Sequence, residues 1–339
     1  MVPLMAPERA ARLELFLAFA AVYLVWGSTY LFIAFAIETM PPFLMASARF
    51  LLAGGALYAW AWRRGSARPR PAQWAWAFLL GALFVLIGNG TVVWVEQRLA
   101  SGLTALVVAL VSVWTAILEW VRPGGARPPG IVLTGILLGF LGVAILVLPG
   151  RMGGNHIEPV GVLLLVGSTF SWALGSVLSR EADLPKSAAL VSGMQMLAGG
   201  VLLFLASLVA GDWTGFDITA ISAKSWASFF YLVLFGSLVA FTCFSWLLQV
   251  STPNKVATAG YVNPMVAVFL GWAFAGEALT LRAVLAALVI VAAVVLIITG
   301  REVTAARIPP TPSTPPSGTP MGGWADERTG ARESGTTAA

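Results

Sequence analysis

Leu52-Ala53-Gly54-Gly55 and Leu197-Ala198-Gly199-Gly200 are the same four-residue word, repeated 145 positions later in the chain. Two further pairs of motifs recur in the same order along the chain. Gly27-Ser28 returns as Gly175-Ser176, 148 residues later, and Trp94-x-x-Gln97 returns as Trp246-x-x-Gln249, 152 residues later. Self-similarity at a fixed offset is the signature of a duplicated unit. We therefore predict two related halves, 1–150 and 155–300.

Both copies of the word lie inside long apolar segments. The chain of 339 residues is 58% hydrophobic and 10% charged, whereas about a quarter of the residues of a soluble domain are charged. Each apolar segment is close to the ~20 residues that a helix needs to cross the hydrocarbon of a bilayer. The pattern predicts ten transmembrane helices, at 13–37, 41–62, 74–95, 99–121, 130–149, 161–179, 187–209, 224–249, 256–275 and 281–299.

Five helices in each half is an odd number, so the second half must enter the membrane from the opposite face. The predicted fold class is therefore an all-α polytopic membrane protein built of two inverted five-helix repeats. Inverted repeats place a substrate site near the middle of the membrane, and rocking of one half against the other exposes that site to each face in turn. The architecture thus favours transport.

Charge in the loops predicts the orientation. Loops and ends on the side of the two termini hold thirteen Lys and Arg residues, and the opposite side holds four, Arg98, Arg151, Lys224 and Arg282. The excess predicts cytoplasmic termini in a multi-pass protein of the inner, or plasma, membrane. The last segment, 301–339, is predicted to be a disordered cytoplasmic tail, because six of the residues 309–320 are proline and the remainder is rich in Gly, Ser and Thr.

Composition argues against several classes of protein. Cys243 and His156 are the only residues of their types, which excludes a disulfide framework, a Cys/His zinc site and a catalytic Cys–His pair within one chain. The arginines are scattered between apolar segments and form no basic stripe, so nucleic acid is not an expected partner. No phosphate-binding loop of the Gly-x-x-x-x-Gly-Lys type occurs. We expect no cofactor, no metal and no enzymatic activity, and we expect a small-molecule substrate and membrane lipids as partners.

Arg49 is the one ionisable residue predicted at mid-membrane depth. It lies eight residues into the second span, or about 12 Å along the helix, and an arginine at such a position is costly to insert. One interpretation is that its guanidinium ties down carbonyls and hydroxyls of neighbouring helices. The other is that it faces a cavity and binds a substrate carboxylate through two hydrogen bonds. The sequence leaves both open.

Uncharged polar and aromatic residues at similar depth complete the candidate cavity. Helical spacing places several of them on common faces of the first and sixth spans. Any one of them serves equally well as a hydrogen-bonding contact between helices. The substrate-cavity candidates are Trp26, Thr29, Tyr30, Arg49, Asn89, Thr91, Ser171, Trp172, Gln195, Thr242, Ser245, Tyr261 and Asn263.

Two further features concern helix geometry. Pro264 interrupts the ninth span and is a hinge candidate, with a fixed structural kink as the alternative. Small residues form stripes in the fifth span, at Gly135, Gly139 and Gly142, and in the tenth span. Such stripes suit close packing within one chain or between two copies, so the predicted oligomeric state is a monomer or a homodimer.

Four motifs together resemble the EamA-like family of the drug/metabolite transporter superfamily, over residues of about 13–300. They are Trp26-Gly27-Ser28-Thr29-Tyr30, Ala48-Arg49-Phe50, Ser171-Trp172-Ala173-Leu174-Gly175-Ser176, and Asn263-Pro264 with Gly276-Glu277. The resemblance implies export of amino acids, related metabolites or toxic compounds. It also implies that spans 1–4 and 6–9 surround the cavity while spans 5 and 10 support it from outside.

The sequence departs from that family pattern in the fourth span. Val113 occupies the place of a proline that would match Pro264, and Val121-Arg122-Pro123-Gly124 replaces a terminal Gly-Glu. The first span has no glutamate between Glu14 and Glu38, unlike the small multidrug exporters of the superfamily, and a lone arginine disfavours phosphorylated substrates. The alternatives to a metabolite exporter are a flippase for lipids or lipid-linked sugars, a membrane scaffold, and a membrane-embedded enzyme.

Overall fold

A computed structural model describes residues 6–123, 125, 127–147, 151–152, 155–156, 159–251, 255–256 and 259–307. Over these residues the protein is helical, apart from a short antiparallel pair of strands, β1 (Arg151–Met152) and β2 (Asn155–His156). The helices are α1 (Ala6–Ala20, Ala21–Val25 and Trp26–Ala36), α2 (Pro42–Arg63), α3 (Pro71–Gly81, Ala82–Asn89 and Gly90–Val95), α4 (Ser101–Val108 and Val111–Val121), α5 (Gly130–Val147), α6 (Pro159–Leu178), α7 (Ala188–Ala210), α8 (Ala223–Tyr231, Leu232–Val239 and Ala240–Val250), α9 (Ala259–Ala275) and α10 (Leu281–Arg307).

Eight of these helices are long and apolar enough to cross a membrane, namely α1–α4, α6–α8 and α10. In α5 and α9 the apolar part is shorter, at Gly130–Ile145 and Val262–Ala275. Sixteen residues of α-helix rise about 24 Å, which is less than the ~30 Å of a typical hydrocarbon core. The all-helical, multi-span class is confirmed, and the count of ten spans stays a prediction.

Large apolar side chains remain exposed on the outside of the bundle. Val209 is 91% exposed, Leu137 71% and Leu163 67%. A soluble protein rarely leaves such a continuous apolar surface open to water, whereas hydrocarbon accepts it without cost. The outer surface is therefore suited to lipid.

Most of the large contacts between helices are kept when each helix is exchanged for its counterpart in the other half, five places along the chain. Helix α1 packs on α8 and α9, and correspondingly α6 packs on α3 and α4. The pairs α2–α7, α4–α9 and α5–α10 map onto themselves, and α2–α8 maps onto α7–α3. This exchange pattern is the packing expected of two related five-helix halves.

The two copies of the repeated four-residue word meet at the crossing of α2 and α7. A Cβ atom added at Gly54 would lie 2.8 Å from Met196 Cβ and 2.9 Å from the backbone nitrogen of Leu197. One added at Gly193 would lie 2.8 Å from the backbone nitrogen of Tyr58, and Ser47 Oγ donates to the carbonyl of Gly200 at 3.0 Å. The two helices approach so closely because glycine has no side chain at the contact.

Two π-helical segments also follow the repeat. Ala82–Asn89 in α3 and Leu232–Val239 in α8 have the same length and begin 150 residues apart. A π-turn changes the pairing of backbone carbonyls, and polar side chains take up some of the groups that are freed. In α3 this is done by Asn89, whose Nδ2 donates to the carbonyl of Phe84 at 3.1 Å.

The bundle has two ends, which we call the terminus end, where α1 begins and α10 ends, and the far end. Polar contacts join alternate loops at each end, as expected of helices that run back and forth. At the terminus end Arg70 pairs with Asp183 at 2.6 Å, and at the far end Lys224 pairs with Glu38 at 2.6 Å.

Helices α5 and α10 pack against each other beside the main bundle. A Cβ at Gly135 would lie 2.8 Å from the carbonyl oxygen of Ala293, so the small-residue stripe of α5 is used within the chain. Helix α10 continues to Arg307, so the first seven residues of the predicted tail, 301–307, are helical. The rest of the predicted tail lies outside the described residues.

Candidate functional site

A cavity of about 140 Å³ lies between the two halves and is lined by residues of α1–α4 from the first half and α6, α8 and α9 from the second. One water needs roughly 10–15 Å³ of such volume, so the cavity has room for a small organic molecule and not only for a single ion. The predicted site residues that line it are Trp26, Thr29, Tyr30, Arg49, Asn89, Trp172, Asn263 and the hinge candidate Pro264.

Aromatic rings form much of the wall. The indoles of Trp26 and Trp172, one from each half, meet edge to face with centroids 5.5 Å apart. Phe84 lies 5.0 Å from Trp172, and Phe244 lies 4.9 Å from Trp26. The Trp26 indole nitrogen also donates to the carbonyl of Gly236 at 3.1 Å, which fixes the ring relative to α8. The wall is therefore rigid, apolar and polarisable.

Arg49 is 3% exposed and lines this cavity from α2. Its Nε donates to Ser237 Oγ at 2.8 Å, and its guanidinium carbon lies 4.6 Å from the centre of the Phe50 ring. Its Nη1 has no hydrogen-bond partner among the described residues. The structure thus combines features of both sequence interpretations: one nitrogen binds a hydroxyl of a neighbouring helix, and another is left open for an anionic group.

Asn263 joins α9 to the π-turn of α1. Its side-chain amide, oriented by its surroundings, donates to the carbonyls of Val22 at 3.2 Å and Tyr23 at 3.0 Å. This pairing satisfies backbone carbonyls that the π-turn Ala21–Val25 displaces from regular α-helical bonding. Pro264, the next residue, lies inside α9 as predicted, and its role as a hinge stays a prediction.

Five of the predicted cavity residues do not line the cavity. Ser171 donates to the carbonyl of Leu83 at 2.9 Å and so joins α6 to α3. Gln195 and Ser245 are buried within the helix packing, and Thr242 Oγ1 has no partner among the described residues. Thr91 is half-buried elsewhere on α3. The side chain of Tyr261 lies outside the described residues. Helical spacing gave the depth of these residues but not their direction.

Two polar stripes, one on each side of the part of the cavity nearer the terminus end, were not predicted from the sequence. Ser112, Thr115 and Glu119 line it from α4 at spacings of three and four residues. Thr169 and Ser176 line it from α6, followed by Arg180. The i, i+3, i+7 spacing on α4 was a usable signal, because polar residues repeated on one helical face indicate a polar environment there.

These stripes lead to the terminus end, where an ion pair stands at the mouth. Arg180 Nη1 lies 3.5 Å from Glu119 Oε1, and the two side chains are 33% and 20% exposed. Partial burial, together with the neighbouring Arg122, lowers the pKa of Arg180 from its usual value. The cavity therefore reaches from Arg49 to a charged opening at the terminus end.

The far end is closed by a contact between the halves. Glu277, in the loop between α9 and α10, accepts hydrogen bonds at the beginning of α4, from the backbone nitrogens of Ser101 at 2.7 Å and Gly102 at 3.0 Å. Ser101 Oγ donates to the same carboxylate at 2.6 Å. We call this contact the far-end latch. A carboxylate at a helix N-terminus is favourable, because unpaired backbone N–H groups and the helix dipole both face it.

A match to a protein-family model identifies the group to which this fold and cavity belong. The EamA-like transporter family matches residues 12–148 and 159–299, one match for each half. The chain belongs to the EamA-like transporter family.

Two of the following three relatives of this EamA-like protein are named transporters. The uncharacterized inner membrane transporter YedA of Escherichia coli strain K12 is 38% identical over 297 residues, which are 87% of this chain and 94% of YedA. The uncharacterized transporter YvbV of Bacillus subtilis is 28% identical, over 84% of this chain and 91% of YvbV. Protein PecM of Dickeya dadantii is 26% identical, over 76% of this chain and 82% of PecM.

A solved crystal structure is similar in fold. It superposes with a TM-score of 0.60 at 21% identity, and the match covers 85% of this chain and 97% of the chain in that crystal structure.

In the part of the chain that the structure describes, no group of three or more His, Cys, Asp and Glu side chains is arranged to hold a metal ion.

Proposed function

We propose that this EamA-like protein is a secondary transporter that exports small metabolites with a carboxylate, such as amino acids and related compounds. The observation that carries the proposal is the cavity between the halves, in which Arg49 is buried with Nη1 unpartnered among the described residues and aromatic rings stand opposite. A buried guanidinium with an open donor matches a carboxylate, and indole and phenyl walls match an apolar side chain or a cationic amine.

The same proposal includes the finer features of the architecture. All ten helices cross the inner membrane as two inverted halves, both termini are cytoplasmic, and the cavity alternates between the two faces. In this arrangement the closed far end faces the outside, and the charged mouth at Glu119 and Arg180 faces the cytoplasm. The family membership, the helix-exchange packing and the name of the YedA relative support this proposal.

An export assay with an unbiased substrate pool tests the proposal. Proteoliposomes are loaded with a mixture of amino acids and other metabolites, and mass spectrometry determines what leaves. Arg49→Ala is expected to abolish export of the identified compound, while Arg49→Lys retains a small part, because lysine keeps the charge but cannot bind a carboxylate through two nitrogens. Gly167→Ala is the matched control, since a Cβ there meets nothing within 4 Å. Equal export by all four proteins would contradict the role of Arg49.

A flippase is the second candidate, and one observation favours it. A groove of about 650 Å³ on the outer surface lies between α4, α9 and α10 and is lined by apolar residues such as Leu103, Val268 and Leu288. Such a groove suits an acyl chain, but its lining does not include Arg49. Fluorescent lipids in the same proteoliposomes separate the candidates: redistribution of lipid without movement of any soluble compound would overturn the metabolite proposal.

A further inference from the structure

Glu96, directly after the last turn of α3, is a buried acid that the proposed transport cycle does not yet use. Its side chain is 8% exposed, and neither carboxylate oxygen accepts a hydrogen bond from any described residue. An ionised carboxylate without donors is costly to bury, whereas a neutral carboxylic acid is tolerated far better. The conformation described here, with the far end closed, is therefore one that accommodates Glu96 as the neutral acid.

The charged and titratable groups around Glu96 come from four elements. Arg49 of α2, Tyr30 of α1 and Glu277 of the α9–α10 loop are each close enough to interact electrostatically with it. On its own loop, Arg98 lies with its guanidinium carbon 4.3 Å from the centre of the Trp94 ring. Glu96 thus interacts with both the candidate substrate-binding guanidinium and the carboxylate of the far-end latch.

We propose that Glu96 is a proton-binding site that links proton uptake to closure of the far end. When the far end opens, water reaches the side chain, and the carboxylic acid releases its proton to water. When the far end closes, the carboxylate takes up one proton from water and is buried as the acid, and no other bond changes. This inference rests on the alternating access of the proposed function and adds a coupling ion to it.

The surroundings fix the sign of the coupling. Burial disfavours the ionised form of Glu96, Glu277 repels it, and Arg49 attracts it. Burial and Glu277 together prevail, so the pKa of Glu96 is raised and formation of the latch opposes its ionisation. A substrate carboxylate bound to Arg49 would add a second negative charge nearby and would also favour the neutral acid. Lower pH should therefore favour both the closed far end and the binding of an anionic substrate, since a conformation that binds an extra proton is stabilised as the proton concentration rises.

Accessibility of a single cysteine tests the linkage without any substrate. In a Cys243→Ser background, Ala105→Cys places a thiol in the cavity, where residue 105 is 1% exposed and lines the wall between Arg49 and the latch. A membrane-impermeant thiol reagent is applied to the far face in oriented membrane vesicles. The labelling rate of Ala105→Cys is divided at each pH by the labelling rate of Thr219→Cys, whose thiol lies in the exposed far-end segment between α7 and α8. This ratio removes the pH dependence of the reagent itself.

Labelling from the far face should rise with pH above the range in which an exposed glutamate titrates, because burial in the closed state raises the pKa of Glu96. The slope should not exceed ~10-fold per pH unit, the limit for one proton. Glu96→Gln should label slowly at every pH, and Glu38→Gln, an exposed carboxylate at the same end, should behave like the parent. An identical pH dependence in Glu96→Gln and the parent would overturn the proposal.

A second variant covers the case in which Glu96→Gln does not reach the membrane. Glu96→Asp keeps a titratable group at a slightly different position, so the pH midpoint of labelling should move while the dependence remains. An unchanged midpoint would contradict the assignment. Because this assay requires no transported compound, failure of the proton site and failure of the metabolite proposal give different results. In the first case Glu96→Gln and the parent label with the same pH dependence, and in the second case the difference between them remains.

Discussion

The guanidinium of Arg49 packs against Gly236, where the absence of a side chain leaves room for it. A Cβ added at Gly236 would lie 2.9 Å from Arg49 Nη2 and 3.0 Å from Thr29 Cγ2, both at the cavity wall. Gly236→Ala should therefore displace the guanidinium and weaken substrate binding by about tenfold or more, since small shifts of a positioning group have large effects on binding geometry. The measurement is the dissociation constant of the exported compound, once it is identified, in detergent-solubilised protein.

Gly167→Ala provides the comparison for that substitution. Gly167 lies in α6 with nothing within 4 Å of an added Cβ, so alanine there should leave binding unchanged and, by its helix propensity, slightly raise stability. If Gly236→Ala binds the compound as tightly as Gly167→Ala does, the contact between Gly236 and Arg49 does not contribute to substrate binding.

The sequence predicted the depth of single residues in the membrane better than it predicted their burial. Arg49 was identified from its depth alone, because a charge inside a span must be stabilised by something. Glu96 lies at the end of its span, where counting along the helix does not indicate burial, yet the α9–α10 loop bearing Glu277 comes close enough to interact with it, and its side chain is buried. Depth follows from counting along one helix, whereas burial depends on segments that lie far apart in the chain.

The close crossing of helices α2 and α7 predicts different effects for two neighbouring glycines. Gly54 and Gly55 are adjacent in α2, but only Gly54 touches α7, where the nearest atoms include the backbone of Leu197 and the carbonyl oxygen of Gly193, at 2.9 and 3.0 Å. Backbone atoms cannot move aside as a flexible side chain does. Gly54→Ala should cost about 1–3 kcal/mol of stability through overpacking, and Gly55→Ala should be neutral.

Thermal unfolding of the purified variants in detergent checks this pair. The loss should appear as a lower midpoint for Gly54→Ala, with Gly55→Ala at the midpoint of the parent protein. Equal midpoints for the two variants would show that α2 and α7 separate easily at this crossing. The test is well matched, because both changes add the same methyl group to neighbouring positions in the same helix.

The elements themselves were largely predictable, since apolar runs of helical length have few alternatives in a membrane. The repeated word indicated the duplication and, in the structure, its two copies meet at one crossing. The π-helical segments Ala82–Asn89 and Leu232–Val239 were not predicted, because the same residues form an α-helix equally well in isolation. Their repetition 150 residues apart indicates that the packing of the two halves selects them.

For the whole molecule, the two ends of the cavity differ in how they are closed. The far-end latch uses the carboxylate of Glu277, whereas the corresponding segment of the first half is Val121-Arg122-Pro123-Gly124 and has no acid. The terminus end has instead the partly exposed pair of Arg180 and Glu119 at the cavity mouth. Exposed pairs contribute little to stability, about 0–1 kcal/mol. This difference accounts for a cavity that is closed at the far end and polar toward the terminus end.

In the alternating-access cycle that we propose, the latch should control the balance between the two open states. In Glu277→Gln the amide oxygen can replace only one of the two carboxylate oxygens. With that oxygen on Ser101, the NH2 group in the place of Oε2 cannot accept the hydrogen bond that Gly102 donates at 3.0 Å, and the charge at the N-terminus of α4 is lost. The closed far end should be weakened by about 1–2 kcal/mol, which corresponds to roughly a tenfold rise in far-face labelling of Ala105→Cys. Glu38→Gln breaks only the exposed pair with Lys224 and should leave labelling within about twofold of the parent. A Glu277→Gln protein that labels no faster than Glu38→Gln would mean that packing alone, and not this carboxylate, keeps the far end shut.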